Sequence, residues 1–166
     1  MKVTGKVWKF GHDINTDLIF PHTAFRLPPK EQIKLIFSDN RPGWADEVQP
    51  GDIIVSEQNF GTGSSRPGAV LLKNLGLGGM LSDSINGLFF RNCVSYGFPA
   101  LQGPGISDLF EEGDVAEFDL ATGLIKNLTS GKALQVPALP ESMVETVDAG
   151  GVFEVLAAKG LIDPMV

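Results

Sequence analysis

The chain of 166 residues holds a single cysteine, Cys93. That excludes an internal disulfide and a cluster built from this chain's own thiolates. Basic residues are also scarce: 13 Lys and Arg stand against 20 Asp and Glu, a net charge of −7. With no basic block, nucleic acid is not expected as a partner. No apolar run reaches the ~18 residues of a membrane span. Met1-Lys2-Val3-Thr4-Gly5 leads straight into an alternating strand rather than a signal peptide. The expectation is a cytoplasmic protein that binds neither membrane nor nucleic acid. Histidine is scarce too, with two residues. His12 and His22 stand in loops without metal-ligand spacing, read as exposed side chains, and leave the chain with no expected metal ligand.

The length fits one domain spanning 1–166, and 43% hydrophobic residues are enough for a sizeable core. Strand and helix alternate along it. VTGKVWKF over 3–10 reads as a strand ending at Gly11, followed by a polar loop from Gly11 to Asp17 and a short apolar return, Leu18-Ile19-Phe20, closed by Pro21. Turn chemistry alone could explain Asp13 and Asn15 in that loop. A proline-interrupted stretch follows, helical only over Pro29 to Phe37, and about 22–43 is expected to be a mobile loop or lid. Further strands are expected at Ile53–Val55, Gly79–Asp83 and Gly97–Leu101, with a hairpin pairing Asp114–Asp119 with Gly123–Asn127. Helices are expected after Pro67, over Asn86–Tyr96, Pro140–Asp148 and Gly151–Lys159, with a short turn at Ile106–Phe110. This is an α/β pattern with a mixed sheet. Cys93, within the central helix, reads as a small packed hydrophobe.

The stretch with most chemical content runs from Gly51 to Val70. An apolar strand breaks into Asn59-Phe60-Gly61-Thr62-Gly63, then Ser64-Ser65-Arg66, then Pro67. Proline suits the first helical position, since its missing N–H would be unpaired there. Two hydroxyls and a guanidinium would then sit where helix N–H groups and the helix dipole favour an anion, a carboxylate or phosphate. Simple capping by a serine with a solvated Arg66 accounts for the same residues equally well. A P-loop fits less well, because no Gly-Lys-Ser/Thr follows the glycines.

Asn59-Phe60-Gly61-Thr62-Gly63-Ser64-Ser65-Arg66 resembles the serine–serine–arginine signature of the small subunit of isopropylmalate dehydratase and homoaconitase, the aconitase swivelling-domain family. Asp13-Ile14-Asn15-Thr16-Asp17-Leu18-Ile19 with Pro21 resembles that family's first loop. Phe89-Phe90-Arg91-Asn92, Gly97-Phe98-Pro99, Leu120 to Gly131 and Ala149-Gly150-Gly151 continue the likeness in the same order. The resemblance implies a swivelling three-layer β/β/α domain, like the aconitase C-terminal domain. Such a domain closes over a [4Fe–4S] cluster carried by a separate large subunit, which would be the partner. The implied activity is that of a hydro-lyase small subunit, dehydrating and isomerising a branched hydroxy-dicarboxylate. By the same likeness Ser64 is the catalytic base and Asp17 a catalytic orienting residue. Ser65, Arg66, Thr62 and Gly63 bind substrate, and the lid after Pro21 reads the substrate's variable substituent.

Three departures accompany the likeness. Pro67-Gly68-Ala69 stands where family members usually have Glu-His-Ala. Ser84-Ile85-Asn86-Gly87 replaces a Ser-Phe-Ala-Arg run, and Pro21-His22-Thr23-Ala24 replaces Pro-Ala-Arg-Tyr. Arg26 is a candidate replacement cation at the substrate, or an exposed lid arginine. The retained Ser64-Ser65-Arg66 points to the enzyme. The lost side chains point to the alternative, a diverged domain that binds anions or a partner without catalysis.

Overall fold

Strand β1 (Lys2–Phe10) lies at the middle of a seven-stranded sheet in the order β4-β3-β2-β1-β5-β6-β7. The structure, a computed structural model, describes residues 1–64 and 66–164. On one side β1 runs parallel to β2 (Ile53–Ser56), then β3 (Gly79–Ser82) and β4 (Ala100–Gln102). On the other it is antiparallel to β5 (Val115–Asp119), with β6 (Leu124–Asn127) and β7 (Ala133–Gln135) beyond. The mixed sheet and the β5–β6 hairpin match the sequence expectation. Strand β7 adds a third antiparallel member that its three-residue Ala-Leu-Gln run did not announce.

Alternation along the strands feeds two separate cores. Trp8, Phe10, Ile54, Met80 and Ala100 pack with Leu71 and Leu72 of one helix, α4 (Gly68–Leu75), and Phe89 and Cys93 of another, α5 (Gly87–Ser95). Val3, Val7, Ile53, Val55, Leu81 and Leu101 instead pack against Ala116, Phe118 and Ile125 of the antiparallel half. In a flat sheet β5 and β3 would lie three strand spacings apart, roughly 14 Å. Yet a Cβ at Gly79 on β3 would meet Phe118 Cζ at 2.8 Å, and one at Gly103, just past β4, would meet Val136 Cγ1, just past β7, at 2.5 Å. The sheet therefore curls until its two halves face each other. Antiparallel strands, parallel strands and helices make the three layers.

Around this frame lie α1 (Thr16–Ile19), α2 (Pro29–Lys34), α3 (Trp44–Glu47), α6 (Glu141–Asp148) and α7 (Val152–Ala158), with single 3-10 turns at His22–Arg26 and Ser107–Leu109. Several boundaries differ from expectation, and the strand expected at Gly97–Leu101 spans Ala100–Gln102. The Gly11–Asp17 loop and the apolar return after it are interrupted by α1, because the Asn15 side chain accepts from Leu18 N at 3.0 Å and Thr16 and Ile19 find burial. The helix opened by Pro29 stops at Lys34, since Phe37 adopts φ 58 and cannot continue it. Helix α4 begins at Gly68, one residue after Pro67, whose ψ of 34 leaves it outside the helix. Within the expected lid, Ala24, Ile36 and Phe37 are buried. The Phe37 ring lies 4.4 Å from that of Phe10 and 5.0 Å from that of Trp44.

Candidate active site

The parallel strands send their C-terminal ends to one edge of the sheet, where ligands bind in many α/β folds. The loop after β1 and the turn after β2 are joined there by backbone hydrogen bonds. Asp13 N donates to Gln58 O at 2.8 Å, Gly61 N to Ile14 O at 2.7 Å and Thr16 N to Thr62 O at 2.8 Å. On the opposite flank Phe60 N donates to Ser84 O at 3.1 Å, and Asn86 N to Phe60 O at 2.8 Å. Below them Ser56 Oγ donates to Ser82 Oγ at 2.9 Å, both hydroxyls wholly buried. The turn that leads to Ser64 is thus wedged between two neighbours.

Glycine is required within it. Gly61 has φ +80, and a Cβ there would lie 2.4 Å from Phe89 Cγ. Gly63 has φ +102, with Thr16 Oγ1 3.1 Å from where its Cβ would be. Thr62 is half-buried, whereas Gly63 and Ser64 are exposed. No described side chain caps α4, so Ser64 is not a helix cap. The first helical N–H is not free either, because Gly68 N donates to Arg66 O at 2.7 Å. Ser65 lies outside the described residues.

Arg66 and Asp17, from opposite ends of the sequence pattern, are brought together as an ion pair between Nη2 and Oδ1. Arg66 Nη1 donates to Phe20 O at 2.8 Å, and the guanidinium lies 5.1 Å from the centre of the Phe25 ring. Its Nε is buried without a partner among the described residues. The Arg66 side chain is 12% exposed and that of Asp17 66%, so the pair has one foot in the protein and one in water. Arg26 is exposed at the end of its 3-10 turn and forms no ion pair among the described residues. Phe25, by contrast, stands against the site cation and was not singled out by sequence. Its only signal was an aromatic in a short proline-bounded stretch.

Beside the turn opens a cleft of about 450 Å³, lined by His12, Asp13, Glu57, Asn59, Asp83 and Asp108. Among the described residues no three His, Cys, Asp or Glu side chains are grouped to hold a metal ion. Cys93 is wholly buried, and desolvation pushes its thiol pKa far up against a smaller opposing backbone hydrogen bond. A neutral, enclosed thiol does not fit a cluster ligand, which must be a thiolate. No helix among the described residues is long and apolar enough to cross a membrane.

With this geometry in place, the comparisons are specific. A family model described as the aconitase C-terminal domain matches residues 27–104. The chain is 41% identical over 159 residues to the isopropylmalate/citramalate isomerase small subunit of Methanocaldococcus jannaschii, covering 95% of each. It is 40% identical over 156 residues to the 3-isopropylmalate dehydratase small subunit of Thermodesulfovibrio yellowstonii, covering 93% of each. A crystal structure of 3-isopropylmalate dehydratase from Methanocaldococcus jannaschii shares the fold with a TM-score of 0.88 at 28% identity, over 97% of this chain and 96% of that one. Sequence likeness over nearly the full length and the same curled three-layer fold lead to one conclusion: the chain belongs to the isopropylmalate dehydratase small-subunit family of aconitase-like swivelling domains.

Proposed function

We propose that this chain is the small subunit of a hydro-lyase that removes and re-adds water on a branched hydroxy-dicarboxylate of the isopropylmalate type. It acts with a large subunit that carries a [4Fe–4S] cluster, and the reading goes with a cytoplasmic complex. The observation that carries it is the Asp17–Arg66 pair, which joins the first loop to the Ser64 turn at the strand ends. In this reading the cluster is wholly the partner's. This chain supplies binding, orientation and the proton acceptor.

Ser64 takes the proton alpha to a substrate carboxylate. A hydroxyl is almost never ionised at neutral pH, so the base needs donors and positive charge close by. Arg66, two residues on, supplies that charge and a planar fork for a carboxylate. Ser65 and the backbone at Thr62 and Gly63 complete the carboxylate-binding turn. Asp17 orients Arg66. Phe25, stacked beside the guanidinium, offers an apolar surface to the substrate's branch. Arg26 is a second cation on the lid, available to the far carboxylate when the lid closes.

The test is Ser64→Ala in the two-subunit complex. Turnover is expected to fall by at least roughly 10³-fold while substrate binding stays within about threefold, since only the proton acceptor is lost. Full turnover by Ser64→Ala removes the proposed mechanism.

A further inference from the structure

Among the described residues three non-glycine residues have positive φ: Asp13 at 53, Phe37 at 58 and Asn59 at 63. Phe37 is explained by its buried ring. The other two are exposed and bonded to each other, Asn59 Nδ2 donating to Asp13 Oδ1 at 2.8 Å. Asn59 N also donates to Ser84 Oγ at 2.8 Å. Asn59 is therefore tied to both walls of the turn, to the first loop by its side chain and to the β3 exit by its backbone.

We propose that Asn59 and Asp13 are a positioning pair, which sets the Ser64–Arg66 turn against the Asp17 helix; this rests on reading that turn as the active site. Left-handed backbone is disfavoured for L-residues, although Asn and Asp bear it better than others. Glycine would remove that cost at either position. What Asn and Asp add is the side-chain bond, and an exposed bond of this kind contributes little to stability. Its effect is geometric. Asp13 lies four residues before Asp17, and Asn59 five before Ser64 and seven before Arg66. A bond at the roots of both segments fixes how their tips meet. The Gly61 N–Ile14 O and Thr16 N–Thr62 O bonds carry that setting upward.

The pair can be reversed. Asn59→Asp alone sets two carboxylates face to face. Asp13→Asn with Asn59→Asp restores a donor and an acceptor with the roles exchanged, at two residue types that tolerate positive φ. The readouts are amide exchange at Gly61 and Thr16 in the purified chain, and kcat and KM of the two-subunit complex. In Asn59→Asp, exchange at both amides is expected to rise and kcat to fall, each about tenfold, because small displacements of a reacting group are amplified in the rate. The double variant should recover most of both. Asn59→Gly, which keeps the backbone unstrained, should show the same exchange change if Asn59→Asp folds poorly. Unchanged exchange in Asn59→Gly, or a double variant as impaired as Asn59→Asp, overturns the proposal. A wild-type complex without turnover instead removes the activity reading, and the exchange measurement still decides the pair.

Discussion

The Arg66 guanidinium is already held before any substrate arrives: Asp17 pairs with one terminal nitrogen and the Phe20 carbonyl accepts from the other at 2.8 Å. On the proposed reading, a substrate carboxylate takes Asp17's place on the fork or shares it. Asp17 would then both orient Arg66 and compete with the substrate for it.

Two substitutions separate these roles. Arg66→Lys should raise KM by roughly 10–100-fold, since a single ammonium cannot make the two parallel bonds of a guanidinium. Asp17→Asn should lower kcat while leaving KM unchanged or reduced, because the neutral amide no longer competes for the cation. Steady-state kinetics on the reconstituted complex read both. A KM that rises in Asp17→Asn as it does in Arg66→Lys would show that the pair does not compete with substrate.

The two glycines Gly61 and Gly43 have nearly the same positive φ, +80 and +82, but not the same neighbourhood. A methyl at Gly61 runs into the Phe89 ring, whereas at Gly43 nothing lies within 4 Å. Gly43→Ala should cost only the left-handed penalty, about 1–2 kcal/mol. Gly61→Ala should add overpacking of a further 1–3 kcal/mol or so. Denaturant unfolding of the two variants checks the difference, and equal losses would mean Phe89 moves aside freely.

One of the departures from the family pattern also lies against Phe89. Gly68 stands at the position of the usual histidine, and a Cβ there would sit 2.9 Å from Phe89 Cε2 and 3.4 Å from Ile19 Cγ2. The gap left by the smaller residue is filled by core. That arrangement was not legible in the sequence, because it depends on α1, α4 and α5 meeting at one point. The strand at Ile53–Ser56, the glycine turn and the β5–β6 hairpin were legible, since each is written in consecutive residues. The curling of the sheet was not: it rests on Phe118 reaching Gly79, contacts between residues 39 apart in the chain. The Asp17–Arg66 pair is of the same kind. Each member was visible as a candidate, but their meeting depends on the register that Gly61 and Thr16 set.

The segment expected to act as a lid is tethered at its far end. Arg41 Nη1 donates to Lys9 O at 3.2 Å and to Glu112 at 2.9 Å, and its guanidinium lies 5.0 Å from the centre of the Trp8 ring. The Arg41 hydrogen bond holds the Glu112 carboxyl below its usual range, against a smaller desolvation effect. A depressed pKa stabilises the fold at neutral pH and the contribution is lost as pH falls through the folded value. The pair is partly exposed, so the effect on global stability is small. The effect on the lid should be visible. Amides over 22–43 should exchange faster than the Ile53–Val55 strand at neutral pH, and protection over 38–43 should drop further between about pH 5 and pH 3, across the carboxylate range. Glu112→Gln should abolish that added drop. Protection of 22–43 equal to that of the strand would mean the segment is no lid.

The last prediction concerns what the chain does alone. A [4Fe–4S] cluster is held by several thiolates, and this sequence has one cysteine, enclosed in the core with its ionisation opposed by burial. In the proposed reading the exposed turn at Gly63–Ser64, with Arg66 and Asp17, binds and orients a carboxylate, and among the described residues no group of His, Cys, Asp or Glu is placed to hold a metal ion. On the proposed reading the other half of the reaction comes from the cluster of the large subunit. Purified alone, the protein is expected to be colourless and without dehydratase activity, yet to bind a dicarboxylate weakly in a manner abolished by Arg66→Ala. Purified anaerobically together with its large subunit, it should yield a brown complex that interconverts hydroxy-dicarboxylate isomers. Absorbance near the iron–sulfur charge-transfer band and a coupled hydratase assay read the two arms. A lone chain that dehydrates such an acid without added partner would overturn the division of labour argued from Cys93 and the Ser64 turn.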